Sequence, residues 1–112
     1  MELKKTYKRP YKGTQERIIK RVNAYCKQHN LSYTNLQVFN GYVTFNGYSN
    51  ITYDNLVNSM VRERYSESAE FAILRKAING ITDEYNTYNA YVEQCKAKAK
   101  EWVTERDKAL GA

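Results

Sequence analysis

A chain of 112 residues, 42% apolar and with a formal net charge of +6, has room for one modest hydrophobic core. No run approaches the about 18–20 consecutive apolar residues of a membrane span, and the first twenty residues are charged where a signal peptide needs an apolar stretch. A membrane partner and secretion by a signal peptide are therefore excluded from the expectations.

The charge is uneven. Residues 1–27 carry nine basic and two acidic side chains, a net of +7, whereas residues 28–112 carry nine basic and ten acidic, a net of −1. A cationic terminus on a near-neutral body raises encounter rates with an anionic partner without specifying a fold. The chain is also rich in Tyr and Asn, eleven of each. That surplus fits either interface chemistry, since Tyr gives large contact area with few torsions to freeze, or an AT-rich coding bias.

Residues 1–13 have no apolar period, contain the only Pro and end in Gly13. They read as a basic extended arm, with residues 14–112 forming a single small helical domain, and removal of the arm is expected to leave the fold intact. Thr14 is placed to cap a helix with Glu16 in its first turn. Ile18, Val22, Tyr25 and His29 make one helical stripe running to about Asn30.

The period then changes. Leu36–Phe39, the Asn40-Gly41 pair and Tyr42–Phe45 read as a hairpin on a type I′ turn. Its register sets Phe39 against Tyr42, Val38 against Val43, Gln37 against Thr44 and Leu36 against Phe45. Leu36, Val38, Val43 and Phe45 share one side, with Gln37, Thr44 and the two rim aromatics on the other. A second pair, Asn46-Gly47, offers a turn to a third strand through Ile51 and Tyr53, with poorer alternation.

Three helical patterns follow. Thr52 or Asp54 caps a helix bearing Leu56, Val57, Met60, Val61 and Tyr65. Ser66 caps a second, bearing Phe71, Leu74 and Ile78 and closed by Gly80. Thr82 starts a third, on which Tyr85, Tyr88, Val92, Cys95, Ala99 and Trp102 alternate spacings of three and four over close to three heptads. From residue 83 to about 107 that helix is roughly 37 Å long against about 20 Å for its predecessor. Ala99, Trp102 and Val103 therefore need cover from the first helix or from another protein. Tyr85, Tyr88, Val92 and Trp102 are the candidate association residues. The expected class is mainly α, an α-rich α+β fold with one small hairpin and a long C-terminal helix.

Catalytic chemistry finds few residues to use. His29 is the only histidine, which excludes His-pair metal sites, and Cys26 three residues before it makes at most half of a structural zinc set. Cys26 and Cys95 match no CxxC pattern and read as reduced thiols. No nucleotide-binding glycine motif, nucleophile elbow or HExxH occurs, and no carboxylate sits in an apolar run. The chain is read as no enzyme, with no catalytic residue, metal or cofactor.

Binding is the better match. Lys4, Lys5, Lys8, Arg9, Lys12, Arg17, Lys20 and Arg21 interleave with Tyr7 and Tyr11, and a cationic strip with aromatic platforms suits sequence-tolerant contact with nucleic acid. The same strip suits an acidic protein surface. Residues 64–100, from Arg64-Tyr-Ser-Glu-Ser-Ala-Glu-Phe through Asp83-Glu-Tyr-Asn-Thr-Tyr to Lys100, resemble the C-terminal helical segment of small uncharacterised structural or accessory proteins of tailed bacteriophages and prophages of gut bacteria. The resemblance implies a virion component or assembly factor, located in the virion or the bacterial host cytoplasm, and transfers no functional residue. The expected partner is thus an acidic surface of a larger assembly, with the arm docked on it and the helices packing on themselves or on further copies. Nucleic acid is the alternative.

Overall fold

The computed structural model describes residues 3–111. Its elements are β1 (Lys4–Arg9), α1 (Gln15–Gln28), β2 (Leu31–Phe39), β3 (Tyr42–Ser49), α2 (Tyr53–Arg62), α3 (Glu67–Ile78) and α4 (Asp83–Ala109). Four helices and a three-stranded antiparallel sheet make a mixed α+β fold, with the long C-terminal helix in its expected place. The chain divides into two compact units: one holds the sequence up to Ile51 together with the residues from Arg106 onward, the other Thr52–Glu105.

In the first unit the sheet order is β1-β3-β2. The expected free arm is instead an edge strand: β1 pairs antiparallel with β3 from Lys4 opposite Tyr48 to Arg9 opposite Val43. Met1 and Glu2, the start of that arm, lie outside the described residues. The third strand is therefore β1. The expected strand through Ile51 and Tyr53 does not form, because Thr52 caps α2 and Tyr53 opens it.

Ile18, Val22 and Cys26, one turn apart along α1, are buried with Val43 and Phe45 of the sheet. His29, expected on that stripe, is instead the exposed C-cap, since the helix ends before a further turn can carry the ring inward. Thr14 caps α1 as expected, accepting a hydrogen bond from the Arg17 N–H at 3.3 Å. Tyr7 lies parallel to Phe45 with ring centroids 5.2 Å apart and meets Tyr25 edge-on at 5.8 Å. Gly47 makes room for it: a Cβ there would fall 2.5 Å from a Tyr7 ring carbon. At the end of β3, Arg106 donates to the Ser49 and Ile51 carbonyls at 3.1 and 2.6 Å.

The hairpin keeps its expected register at the turn, with Phe39 opposite Tyr42, Val38 opposite Val43 and Gln37 opposite Thr44. Leu36 does not pair with Phe45. An irregularity between Thr34 and Gln37 interrupts the ladder, and Asn35 sits there at φ 56°, a bulge conformation that Asn tolerates. Gly41 has φ 88° but Asn40 does not enter the left-handed region, so the turn is not type I′, which needs both central residues there.

In the second unit Thr52 and Ser66 cap α2 and α3 by accepting from the N–H groups of Asn55 and Ala69. Gly80, at φ 88°, follows the end of α3. Leu56, Val61, Ile73, Cys95 and Ala99 are buried, and Tyr85, Tyr88, Val92 and Trp102 are half-buried. One expectation is overturned. Phe71, Leu74 and Ile78 were placed inward on α3, yet all three are exposed and Ile73 alone is buried.

Polar tethers hold the other side of α3. Glu70 faces inward, held by both guanidinium nitrogens of Arg62 at 3.2 and 3.3 Å and by the Tyr88 hydroxyl, while Lys76 reaches Glu84 at 3.0 Å. Tyr65 packs against the rings of Tyr88 and Tyr91, and the Tyr91 hydroxyl donates to the Met60 carbonyl at 3.0 Å. These bonds lie on the side of α3 opposite its exposed apolar residues.

The tethers carry a pH signature. Burial, followed by the hydrogen bond to Glu70, pushes the Tyr88 phenol up to about 12 from 10.0; the Arg62 hydrogen bond, then that of Tyr88, holds the Glu70 carboxyl below 4.5. A raised pKa contributes stability that is complete below the unfolded value and lost as pH rises through the folded one. The second unit should therefore lose stability between pH 10 and about 12, and the Glu70 contribution as pH falls below 4.5. Tyr88→Phe should cost about 1 kcal/mol at pH 7 and flatten the alkaline loss, as read from thermal melts across pH 7–12. An alkaline limb as steep in the variant as in the parent would remove Tyr88 as its cause.

Candidate nucleic-acid interface

Side chains alternate across a strand, so the pairing register sorts the first unit into two faces. Lys5, Tyr7 and Arg9 share a side with Val43, Phe45 and Gly47, toward α1. Lys4, Thr6 and Lys8 share the opposite side with Thr44, Asn46 and Tyr48, and the β2 register adds Ser32, Thr34, Gln37 and, through Tyr42, Phe39. No acidic residue occurs in any of the three strands.

On this face, opposite α1, Phe39 and Tyr42 stack with centroids 4.8 Å apart and planes 16° from parallel. The Lys8 ammonium lies 4.4 Å from the centre of the Tyr42 ring. Phe39 is 43% exposed, so an apolar ring stands in solvent beside a cation. Gln37 is exposed and Thr44 half-buried in the facing pair; both offer donors and acceptors. At the other end of the face Lys4 lies 5.4 Å from the Tyr48 ring centre, but Tyr48 is itself buried. Thr6 bonds Asn46 at 3.0 Å between the two ends. The open part of the face is the Lys8, Phe39, Tyr42 end.

The expected cationic strip is not one surface. Lys4 and Lys8 lie on the face opposite α1, Lys5 and Arg9 on the other, and Arg17, Lys20 and Arg21 are exposed on α1. Lys12 is exposed between β1 and α1. Tyr7 is a core ring rather than a binding platform, and Tyr11 packs against the same core with the Arg21 guanidinium 5.8 Å from its ring centre. Arg9 is spent on structure, its guanidinium 4.7 Å from the Tyr25 ring centre and its Nε buried. Phe39, Tyr42, Gln37 and Thr44 were absent from the expected site, although the hairpin register had already placed them together on one side.

Charge follows the division of the chain. The first unit has eleven basic and three acidic side chains, a net of +8, and the second seven and nine, a net of −2. A cleft of about 430 Å³ in the first unit is lined by Asn23, Cys26, Lys27, Asn30, Leu31, Ser32, Tyr33 and Asn50. Burial pushes the Cys26 thiol up, which disfavours the thiolate a nucleophile needs. Both cysteines are free and buried. Among the described residues no three His, Cys, Asp or Glu side chains gather as a metal-binding group, and no helix is long and apolar enough to cross a membrane.

In the second unit, Tyr88 is engaged by Glu70 and Tyr65, and Tyr85, Val92 and Trp102 are half-buried. Comparison with family models, with curated proteins and with solved structures finds no match to this chain.

Proposed function

We propose that the chain binds single-stranded nucleic acid on the face of its sheet opposite α1. The observation that carries the reading is the Lys8–Tyr42–Phe39 column on a face without acidic strand residues. A base stacks on an exposed aromatic ring, and a lysine beside that ring meets the adjoining phosphate. The net of +8 on this unit adds attraction at longer range.

Nucleic acid and an acidic protein surface separate in a titration. With a labelled single-stranded oligonucleotide, log affinity should fall linearly with log salt, by about 0.7 per phosphate contact. Phe39→Ala should weaken binding by about 1–3 kcal/mol at an unchanged slope, whereas Lys8→Ala should lower the slope by about one contact. Equal affinity for poly-glutamate and for the oligonucleotide, or a silent Phe39→Ala, would sink the proposal.

A further inference from the structure

The least economical surface of the second unit is the outer side of α3. Phe71 is 72% exposed, Ile78 86% and Leu74 39%. At 100° per residue these three lie within about 60° of one another, so they form one continuous apolar stripe rather than scattered exposures. Ile81, 55% exposed, continues it past the helix end. A stripe of this kind on a 12-residue helix is the pattern by which one helix seats on another.

The charges on α3 select the occupant. The helix is polarised, with Glu67 and Glu70 in its first turn and Arg75 and Lys76 in its last. Glu70 and Lys76 are used inside the unit, on Arg62 and Glu84. Among the described residues neither Glu67 nor Arg75 makes an ion pair within 4 Å, Glu67 acting on Arg62 only at longer range. Glu67 lies on the apolar stripe and Arg75 at its flank. Phe71 is midway between them, four residues from each. A second α3 laid antiparallel, with a twofold axis at Phe71, therefore brings Glu67 of one copy to Arg75 of the other, twice by symmetry. The same axis sets Phe71 on the partner's Phe71, Leu74 opposite the first turn of the partner's helix, and Ile78 opposite the residues just ahead of that helix. The antiparallel order also opposes the two helix dipoles favourably.

We infer that α3 is the self-association surface of this chain, forming a twofold antiparallel pair with a second copy through Phe71, Leu74 and Ile78 and reciprocal Glu67–Arg75 ion pairs. The inference does not depend on the nucleic-acid reading, since it uses no residue of the sheet. An interface centred on one short helix is at the small end of the size range, so the pair is a reversible, concentration-dependent dimer.

Sedimentation equilibrium on the full chain tests it. The parent should pass from monomer to dimer with rising concentration, and Phe71→Glu with Ile78→Glu should leave monomer throughout with an unchanged circular dichroism spectrum. Glu67→Arg and Arg75→Glu should each weaken self-association at least tenfold, while a mixture of these two singly substituted chains should form a heterodimer at least as tight as the parent dimer. A parent that stays monomeric at several hundred micromolar overturns the proposal. So does a dimer indifferent to the Phe71 and Ile78 changes, or a mixture that fails to associate, which would assign the stripe to a different occupant or the twofold to a different axis.

Discussion

Deleting residues 1–9 is expected to unfold the sheet unit rather than trim a dispensable arm. The deletion removes the whole of β1 and with it six residue pairings along β3, leaving one side of the central strand without ladder partners. Orphaned backbone groups that stay buried each carry a desolvation cost of about 1–3 kcal/mol. The deletion also takes away Tyr7, whose ring lies against Phe45 and Tyr25; loss of a large aromatic from a core costs about 3–5 kcal/mol by itself. The combined loss is comparable to the 5–15 kcal/mol stability of an ordinary domain. Amide resonances of residues 31–49 in the truncated chain should collapse to the dispersion of an unfolded segment, and Tyr7→Ala in the full chain should lower the denaturant midpoint in the same direction. A truncated chain with native-like dispersion across β2 and β3 would return residues 1–9 to the role of an appendage.

Phe45→Ala should be the most damaging single substitution in that unit, at about 3–5 kcal/mol. Phe45 is 1% exposed and is the ring on which the unit's aromatic packing converges: Tyr7 stacks on it, and Tyr25 and Tyr33 meet it edge-on with centroids at 6.4 and 5.7 Å. Each of these belongs to a different element, β1, α1 and β2. Truncating Phe45 therefore removes contact with all of them together, and three large rings cannot all shift to fill one cavity. Phe45→Leu, which keeps most of the volume, should cost markedly less. Chemical denaturation with tyrosine fluorescence reads both. Equal midpoints for the alanine and leucine variants would mean that the rings repack freely and that Phe45 is not the hub.

Local chemistry was readable along the chain because it acts over a few residues. Thr14, Thr52 and Ser66 each cap the helix assigned to them, since a side-chain oxygen meets an N–H three positions on whatever the tertiary context. The Phe39–Tyr42, Val38–Val43 and Gln37–Thr44 register followed from a two-residue loop, and the α4 stripe buries Cys95 and Ala99 as its spacing implies. That register also held the open end of the candidate face, with Phe39, Tyr42, Gln37 and Thr44 on one side. Without knowledge of what covers the other side, nothing distinguished them from a solvated rim.

Only the tertiary structure decided the role of the basic terminus and the rotation of α3. β1 has a single ring at an inward position, Tyr7, and shows no apolar period; its order comes from a ladder to residues about forty positions away, a non-local gain that no window of sequence registers. Its Lys and Arg residues then alternate across the sheet, so that Lys4 and Lys8 are divided from Lys5 and Arg9 by the pleat. On α3, apolar spacing grouped Phe71, Leu74 and Ile78 on one side, whereas the structure leaves that side in solvent and uses Glu70, bonded to Arg62 and Tyr88, on the other. The sequence by itself determined where helices begin, where the hairpin turns and that the positive charge gathers near one end; which faces those charges and apolar side chains occupy was set by long-range pairing between elements, because burial is a property of the partner as much as of the residue.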